Sequence, residues 1–126
     1  MLIDELKNIA RNNGIVGAGG AGFPAYAKMT EKADTVILNC VECEPLLKLH
    51  RQLLATHTEE IIQMLDEVRE SFGAKEAVIG IKSEYVTNLL NEAKNQNKLP
   101  ISITMVRHGE NEYIDNLENN LLPLST

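Results

Sequence analysis

The sequence has no tryptophan, and aromatic residues make up only 4% of its 126 residues. A stacking platform for nucleic-acid bases is therefore not expected. Positive charge is also scarce, because 12 Lys and Arg residues stand against 18 Asp and Glu, for a net charge of −6. This balance opposes binding to nucleic acid or acidic lipid, since both ligands need a basic surface.

Long apolar runs are missing as well. None approaches the roughly 20 residues that a membrane-spanning helix needs. Acidic residues stand near the N-terminus, where a signal peptide needs basic ones. We therefore expect a cytoplasmic protein without direct membrane insertion.

Cysteine is limited to Cys40 and Cys43, too few for a disulfide framework. Their C-x-x-C spacing would need two more ligands for zinc, and His50 and His57 are too far apart for a zinc pair. A dithiol redox site would need the second cysteine on a helix, but Pro45 follows almost at once. The favoured interpretation is two packing residues, with metal binding and dithiol redox chemistry as alternatives. We expect no metal site and no iron–sulfur cluster within this chain. We also expect no catalytic side chain, because no candidate nucleophile has a histidine beside it.

The length suits one domain over residues 1–126, and apolar patterning divides it into three parts. An N-terminal helix is predicted over 1–13, an α/β core over 14–106 and a tail over 107–126, which leaves open that the chain is a fragment. Buried parallel strands are predicted at 35–40, 76–81 and 101–106, because apolar runs there lack alternation. The intervening segments have helical spacing: 46–54, a helix capped by Thr58 and ended by Phe72-Gly73, and 84–97. The pattern predicts a three-layer, Rossmann-like α/β sandwich with a mostly parallel sheet.

The most informative segment is residues 17–24, which concentrate four of the eight glycines and end in Phe-Pro. Backbone N–H groups of such a loop can hold a phosphate. Lys28 follows on a short helix that Pro24 can open, and it could return to that phosphate or simply be a solvated surface lysine. The glycines also satisfy G-x-G-x-x-G, but a Rossmann turn needs a preceding strand, and only Ile15-Val16 could supply it. A flexible linker is the remaining alternative.

A second polar segment, residues 39–45, leaves the carboxyl end of the first predicted strand, where ligands of open α/β sheets bind. Asn39 offers a donor and an acceptor, and Glu42 and Glu44 offer acceptors. Ribityl or ribose hydroxyls and the imide edge of a flavin are suitable partners. An ordinary turn with solvated carboxylates is the alternative.

The two segments together resemble the FMN-binding domain of the RnfC family, which is similar in turn to the FMN-carrying subunit of respiratory complex I. The resemblance covers roughly residues 14–106. It implies an NADH-linked electron-transfer module that works beside other subunits of a complex, peripheral to a membrane, and passes electrons to iron–sulfur centres outside this chain. It also implies roles for single residues. Gly17, Gly19 and Gly20 would wrap FMN, Lys28 would pair with its phosphate, Asn39 and Glu42 would bond FMN, and Phe23 and Glu44 would line the NADH entrance.

The sequence departs from this resemblance in places. Ala18 and Val41 replace an arginine and an aspartate of complex I subunits, and residues 107–112 do not match the segment that completes the flavin site in RnfC relatives. We therefore expect a pocket with one wall missing, weak FMN binding and little NADH oxidation by this chain alone. A non-catalytic nucleotide-binding or interaction domain that has lost flavin is the alternative function.

Overall fold

The computed structural model describes residues 1–17, 21–29, 32–41, 49–82 and 84–105. Along these ranges the elements alternate as the sequence predicts, beginning with α1 and a short 3-10 helix and continuing with β1, α2, α3, β2, α4 and β3. Their bounds are α1 Ile3–Asn12, the 3-10 helix Ala25–Lys28, β1 Thr35–Asn39, α2 Leu49–Thr56, α3 Thr58–Ser71, β2 Glu76–Ile81, α4 Glu84–Asn97 and β3 Ile101–Met105.

The three strands form one parallel sheet in the order β1-β2-β3. Thr35 pairs with Glu76, and Ala77 pairs with Ile101, so the three strands begin within one residue of each other in register. Parallel neighbours need a crossover between them, which α2 and α3 supply for the first pair and α4 for the second. The three predicted strands and the α/β class are thus confirmed.

One face of the sheet forms the main core. Side chains alternate between the two faces of a strand, and the set on this face packs against the apolar stripes of the helices. α3 contacts β1 and β2, α4 contacts β3, and the two helices contact each other, so they cover the same face. The buried cluster takes its strand residues from Val36, Ala77, Ile79, Ile81 and Ile101 and its helix residues from Leu6, Leu54, Ile62, Leu65, Val68, Val86, Leu90 and Ala93.

The opposite face of the sheet carries the remaining side chains of each strand, which alternate along the chain with those of the core face. Ile37 and Val78 lie there with 1% and 5% of their surface exposed, although neither belongs to the main cluster. This face is therefore covered as well, as a three-layer arrangement requires. Closer to the carboxyl ends of the strands it carries Asn39, Gly80 and Thr104.

Three helices end in the same Schellman geometry, in which two carbonyls of the last turn accept from the residues that follow. The residue that must adopt positive φ is Gly14 after α1 and Gly73 after α3, at φ 65° and 68°. After α4 the same position is occupied by Lys98, at φ 52°. The Lys98 and Leu99 N–H groups donate to the Asn95 and Lys94 carbonyls at 3.3 and 3.2 Å.

The prediction that Thr58 caps α3 is wrong by one residue, because His57 occupies the N-cap position. The Thr58 hydroxyl donates back to the carbonyl of Leu54 in α2, and the His57 N–H donates to the Leu53 carbonyl at 2.9 Å. The Thr58 hydroxyl thus bonds the last turn of α2 and does not cap α3. The predicted helix over 46–54 is observed from Leu49 onward, and its first three residues lie outside the described ranges, as does the tail 107–126.

Candidate functional site

The glycine segment is closed at its base by a short antiparallel contact. Val16 pairs with Pro24 as an isolated bridge. The Gly17 N–H donates to the Phe23 carbonyl at 3.3 Å, and the Ala25 N–H donates to the Ile15 carbonyl at 3.0 Å. Residues 17–23 therefore leave and return at one point, which a flexible linker would not do.

The base of this loop also corrects two sequence interpretations. Ile15-Val16 pairs with Pro24 and not with the described parallel sheet, so the strand that a Rossmann turn requires is not provided. Pro24 precedes the short helix as its N-cap, in extended conformation at ψ 130°, whereas the sequence placed it in the first turn. The helix itself, Ala25–Lys28, is confirmed.

One glycine in the described part of the loop adopts positive φ. Gly22 adopts φ 82°, a region that other residues rarely enter. Gly19 and Gly20, both predicted FMN-binding residues, lie outside the described residues.

Two cations lie over aromatic rings beside the loop base. The Lys28 ammonium is 5.6 Å from the centroid of the Phe23 ring, and the Arg11 guanidinium is 5.7 Å from that of Tyr26. The Phe23 side of this arrangement faces solvent, since Phe23 is 54% exposed. In a protein of net charge −6, these contacts hold positive charge next to an N–H-rich loop.

Asn39 ends β1 at the carboxyl edge of the sheet. Its side-chain Oδ1 accepts from the Val41 N–H at 3.1 Å, which fixes how the chain turns away from the strand. Cys40 continues the ladder by donating its N–H to the Gly80 carbonyl at 2.8 Å, and its side chain belongs to the main core with 6% exposed. The packing role predicted for Cys40 therefore agrees with its position, while Cys43 lies outside the described ranges.

The described contacts bring together three of the predicted site residues, namely Gly17, Phe23 and Lys28. Asn39 belongs to a different element, and Glu42 and Glu44 lie outside the described ranges. The meeting of the two polar segments at one sheet edge therefore stays a prediction. Within the described part of the chain, no group of three His, Cys, Asp or Glu side chains is placed to hold a metal ion.

The sequence reasoning missed the contact of Arg11 with Tyr26 and the bridge that closes the loop. A signal for the bridge was present, because apolar pairs flank the glycine-rich residues on both sides: Ile15-Val16 before them and Phe23-Pro24 after them. For Arg11 no local signal existed, since its partner is 15 residues away and in another element.

Comparison with known proteins gives a family match over almost the whole chain. Residues 10–125 match the family model described as the Nuo51 FMN-binding domain. Cobalamin reductase PduS of Citrobacter freundii is 40% identical over 80 residues, which are 64% of this chain and 18% of that protein. A component of the Na+-translocating ferredoxin:NAD+ oxidoreductase complex of Acetobacterium woodii is 32% identical over 105 residues, or 78% of this chain and 24% of that component. The chain thus spans about a fifth of the length of these relatives.

Among solved structures, the fold is similar to that of an NAD+-reducing NiFe-hydrogenase in its H2-reduced state. The TM-score is 0.73 at 19% identity, and the match covers 94% of this chain and 24% of the hydrogenase chain. At that identity the likeness supports the fold alone. Among the described helices, none is both long enough and apolar enough to cross a membrane.

Proposed function

Because the chain belongs to the family of Nuo51-type FMN-binding domains, we propose that it is the flavin-carrying module of an NADH-linked electron-transfer protein. The observation that carries the proposal is the closed glycine loop with the Lys28 ammonium beside its base. FMN would accept electrons from NADH, and the protein would bind and orient it.

The closed loop and Lys28 together offer the backbone N–H groups and the positive charge that a phosphate of FMN would need. Gly17, Gly19 and Gly20 contribute a backbone without side chains, so that N–H groups can approach an anion closely. Lys28 contributes the charge. Its contact with the Phe23 ring restrains a flexible side chain near the loop, which lowers the entropy lost when the ammonium binds a phosphate.

The second polar segment, residues 39–45, offers polar groups to the part of FMN that lies away from the phosphate. Asn39 has its Oδ1 oriented by the Val41 N–H, and an amide side chain at this position offers both donor and acceptor groups to a flavin. Glu42 would accept a hydrogen bond from the flavin, and Glu44 would line the NADH entrance together with Phe23, which the structure leaves exposed at the surface.

The partners follow from the relatives' names. The Acetobacterium protein belongs to an ion-translocating oxidoreductase complex. This name supports an assembly of several subunits, which the domain would join at the periphery of a membrane. The resemblance to the RnfC family is the ground for assigning the electron acceptors to iron–sulfur centres outside this chain.

The test is flavin binding at equilibrium, because the expected binding is too weak to survive removal of free FMN. The purified protein is titrated into FMN, and quenching of the flavin fluorescence is recorded. We expect saturable quenching. Gly19→Val should abolish it, since a side chain would occupy the space of close approach. Ala27→Val, at an exposed position outside the loop, is the control and should quench as wild type does.

The outcome that contradicts the proposal is equally direct. Protein that causes no saturable quenching, with a circular dichroism spectrum of a folded α/β protein, would favour a nucleotide-binding or interaction domain without flavin. Quenching that is equal in Gly19→Val and wild type would remove the glycine loop from the site.

A further inference from the structure

The sheet face away from α3 and α4 carries a polar row near the carboxyl ends of the strands. Asn39, Gly80 and Thr104 are register partners on β1, β2 and β3. The next row toward the amino ends is formed by Ile37, Val78 and Ser102, and its first two members are buried apolar residues. On β1 the face thus changes from apolar to polar at the edge where ligands of parallel α/β sheets bind, and β3 carries a hydroxyl in both rows.

Gly80 is the only glycine in the three strands, and it stands in the centre of this row. Glycine weakens a strand interior, and its presence there often marks a site where a ligand or another backbone comes close. Gly80 is itself buried, and it stands without a side chain between two polar neighbours on the edge strands of the described sheet.

The two neighbours are too far apart to bond each other. Adjacent strands lie about 4.8 Å apart, which places Asn39 and Thr104 about 10 Å apart across Gly80. The Thr104 hydroxyl is half-buried and has no hydrogen-bond partner among the described residues. A group that lies over Gly80 could reach both side chains.

We propose that Thr104 is a further flavin-binding residue, whose hydroxyl bonds the uncharged part of the flavin that lies across Gly80 from Asn39. This inference rests on the proposed function. The uncharged part is favoured because Thr104 and Asn39 are neutral groups that suit ribityl hydroxyls or ring carbonyls. The phosphate has the glycine loop and Lys28 as its partners in another part of the chain.

The experiment compares FMN with riboflavin, which lacks the phosphate, by quenching of flavin fluorescence. Thr104→Val keeps the shape of the side chain and removes the hydroxyl. It should weaken binding of both flavins by the same factor of about 3 to 10, the scale of a neutral hydrogen bond. Thr104→Ser restores the hydroxyl and should bind within about twofold of wild type.

Two further variants separate this role from a structural one. Ser102→Ala removes a hydroxyl from the same face one row away and should leave both affinities unchanged. Gly80→Ala adds a methyl group between Asn39 and Thr104 and should weaken binding of both flavins at least as much as Thr104→Val, with unchanged circular dichroism. The inference is overturned if Thr104→Val or Gly80→Ala binds both flavins as wild type does, or if the loss appears with FMN alone. Wild-type protein that binds neither flavin would overturn the proposed function and this inference together.

Discussion

The Lys28 ammonium lies 5.6 Å from the centroid of the Phe23 ring, beside the hydrogen bond that closes the glycine loop. A surface lysine ordinarily keeps its charge in water on a freely moving side chain. Here the ring restrains it at the place where the proposed site needs a cation. The two residues therefore form the most direct test of the phosphate end of the site.

Replacing Lys28 by alanine should weaken FMN binding by about 1.5–3 kcal/mol, or about 10- to 150-fold, because a charged hydrogen bond to the phosphate is lost. Riboflavin binding should not change. Lys75→Ala is the matched control, since Lys75 is exposed just before β2, at the amino edge of the sheet. Calorimetric titration of the three proteins measures the effect. Equal losses for FMN and riboflavin would place Lys28 away from the phosphate.

Replacing Phe23 by leucine should weaken FMN binding by about 0.5–1 kcal/mol, the value of an exposed cation–π contact. Because Phe23 is taken to act through Lys28, the two changes should not be additive. In a double-mutant cycle, Phe23→Leu should have little further effect once Lys28 is alanine. Full additivity in the cycle would show that Phe23 contributes to FMN binding by a route independent of Lys28.

Because three helices share the same C-terminal geometry, exchanges between lysine and glycine at two of these helix ends should have opposite effects on stability. Lys98→Gly should stabilise the protein by about 0.5–1 kcal/mol, because φ 52° is unfavourable for lysine. Gly73→Lys should destabilise it by about 1 kcal/mol, although an added Cβ at Gly73 meets nothing within 4 Å. The cost at Gly73 is thus the backbone conformation alone.

Chemical denaturation measures both free energies of unfolding. Lys94→Gly, one turn earlier in α4, serves as the positional control and should destabilise by about 1 kcal/mol, since glycine disfavours a helix interior. A loss of stability in Lys98→Gly of the same size would contradict the account of this helix end.

The sequence predicted most of the fold because its signals are local. The helix Glu84–Asn97 has the predicted bounds, and β2 runs from Glu76 to Ile81 as expected, since apolar periodicity and the breaks beside it identify both elements. The Thr58 cap failed for a tertiary reason. Its hydroxyl could serve either helix, and only the geometry between α2 and α3 decides which.

The candidate site was predicted to a smaller extent. The glycine loop and Lys28 were identified from spacing, and the resemblance to a flavin-binding family gave them roles. The restraint of Lys28 by Phe23 and the row through Asn39, Gly80 and Thr104 were not found. The row depends on the register between three strands that are distant in the chain, which no single segment encodes.

The central claim is that this chain binds FMN through its phosphate, and calorimetric titration of the wild-type protein with FMN and riboflavin tests it most directly. The account predicts one FMN per chain, with a dissociation constant in the micromolar range or weaker, corresponding to about −8 kcal/mol or less favourable. Riboflavin should bind at least about tenfold more weakly, because it lacks the charged group that Lys28 and the glycine loop bind. Absence of any heat of binding at millimolar FMN, or equal affinity for the two flavins, would contradict it.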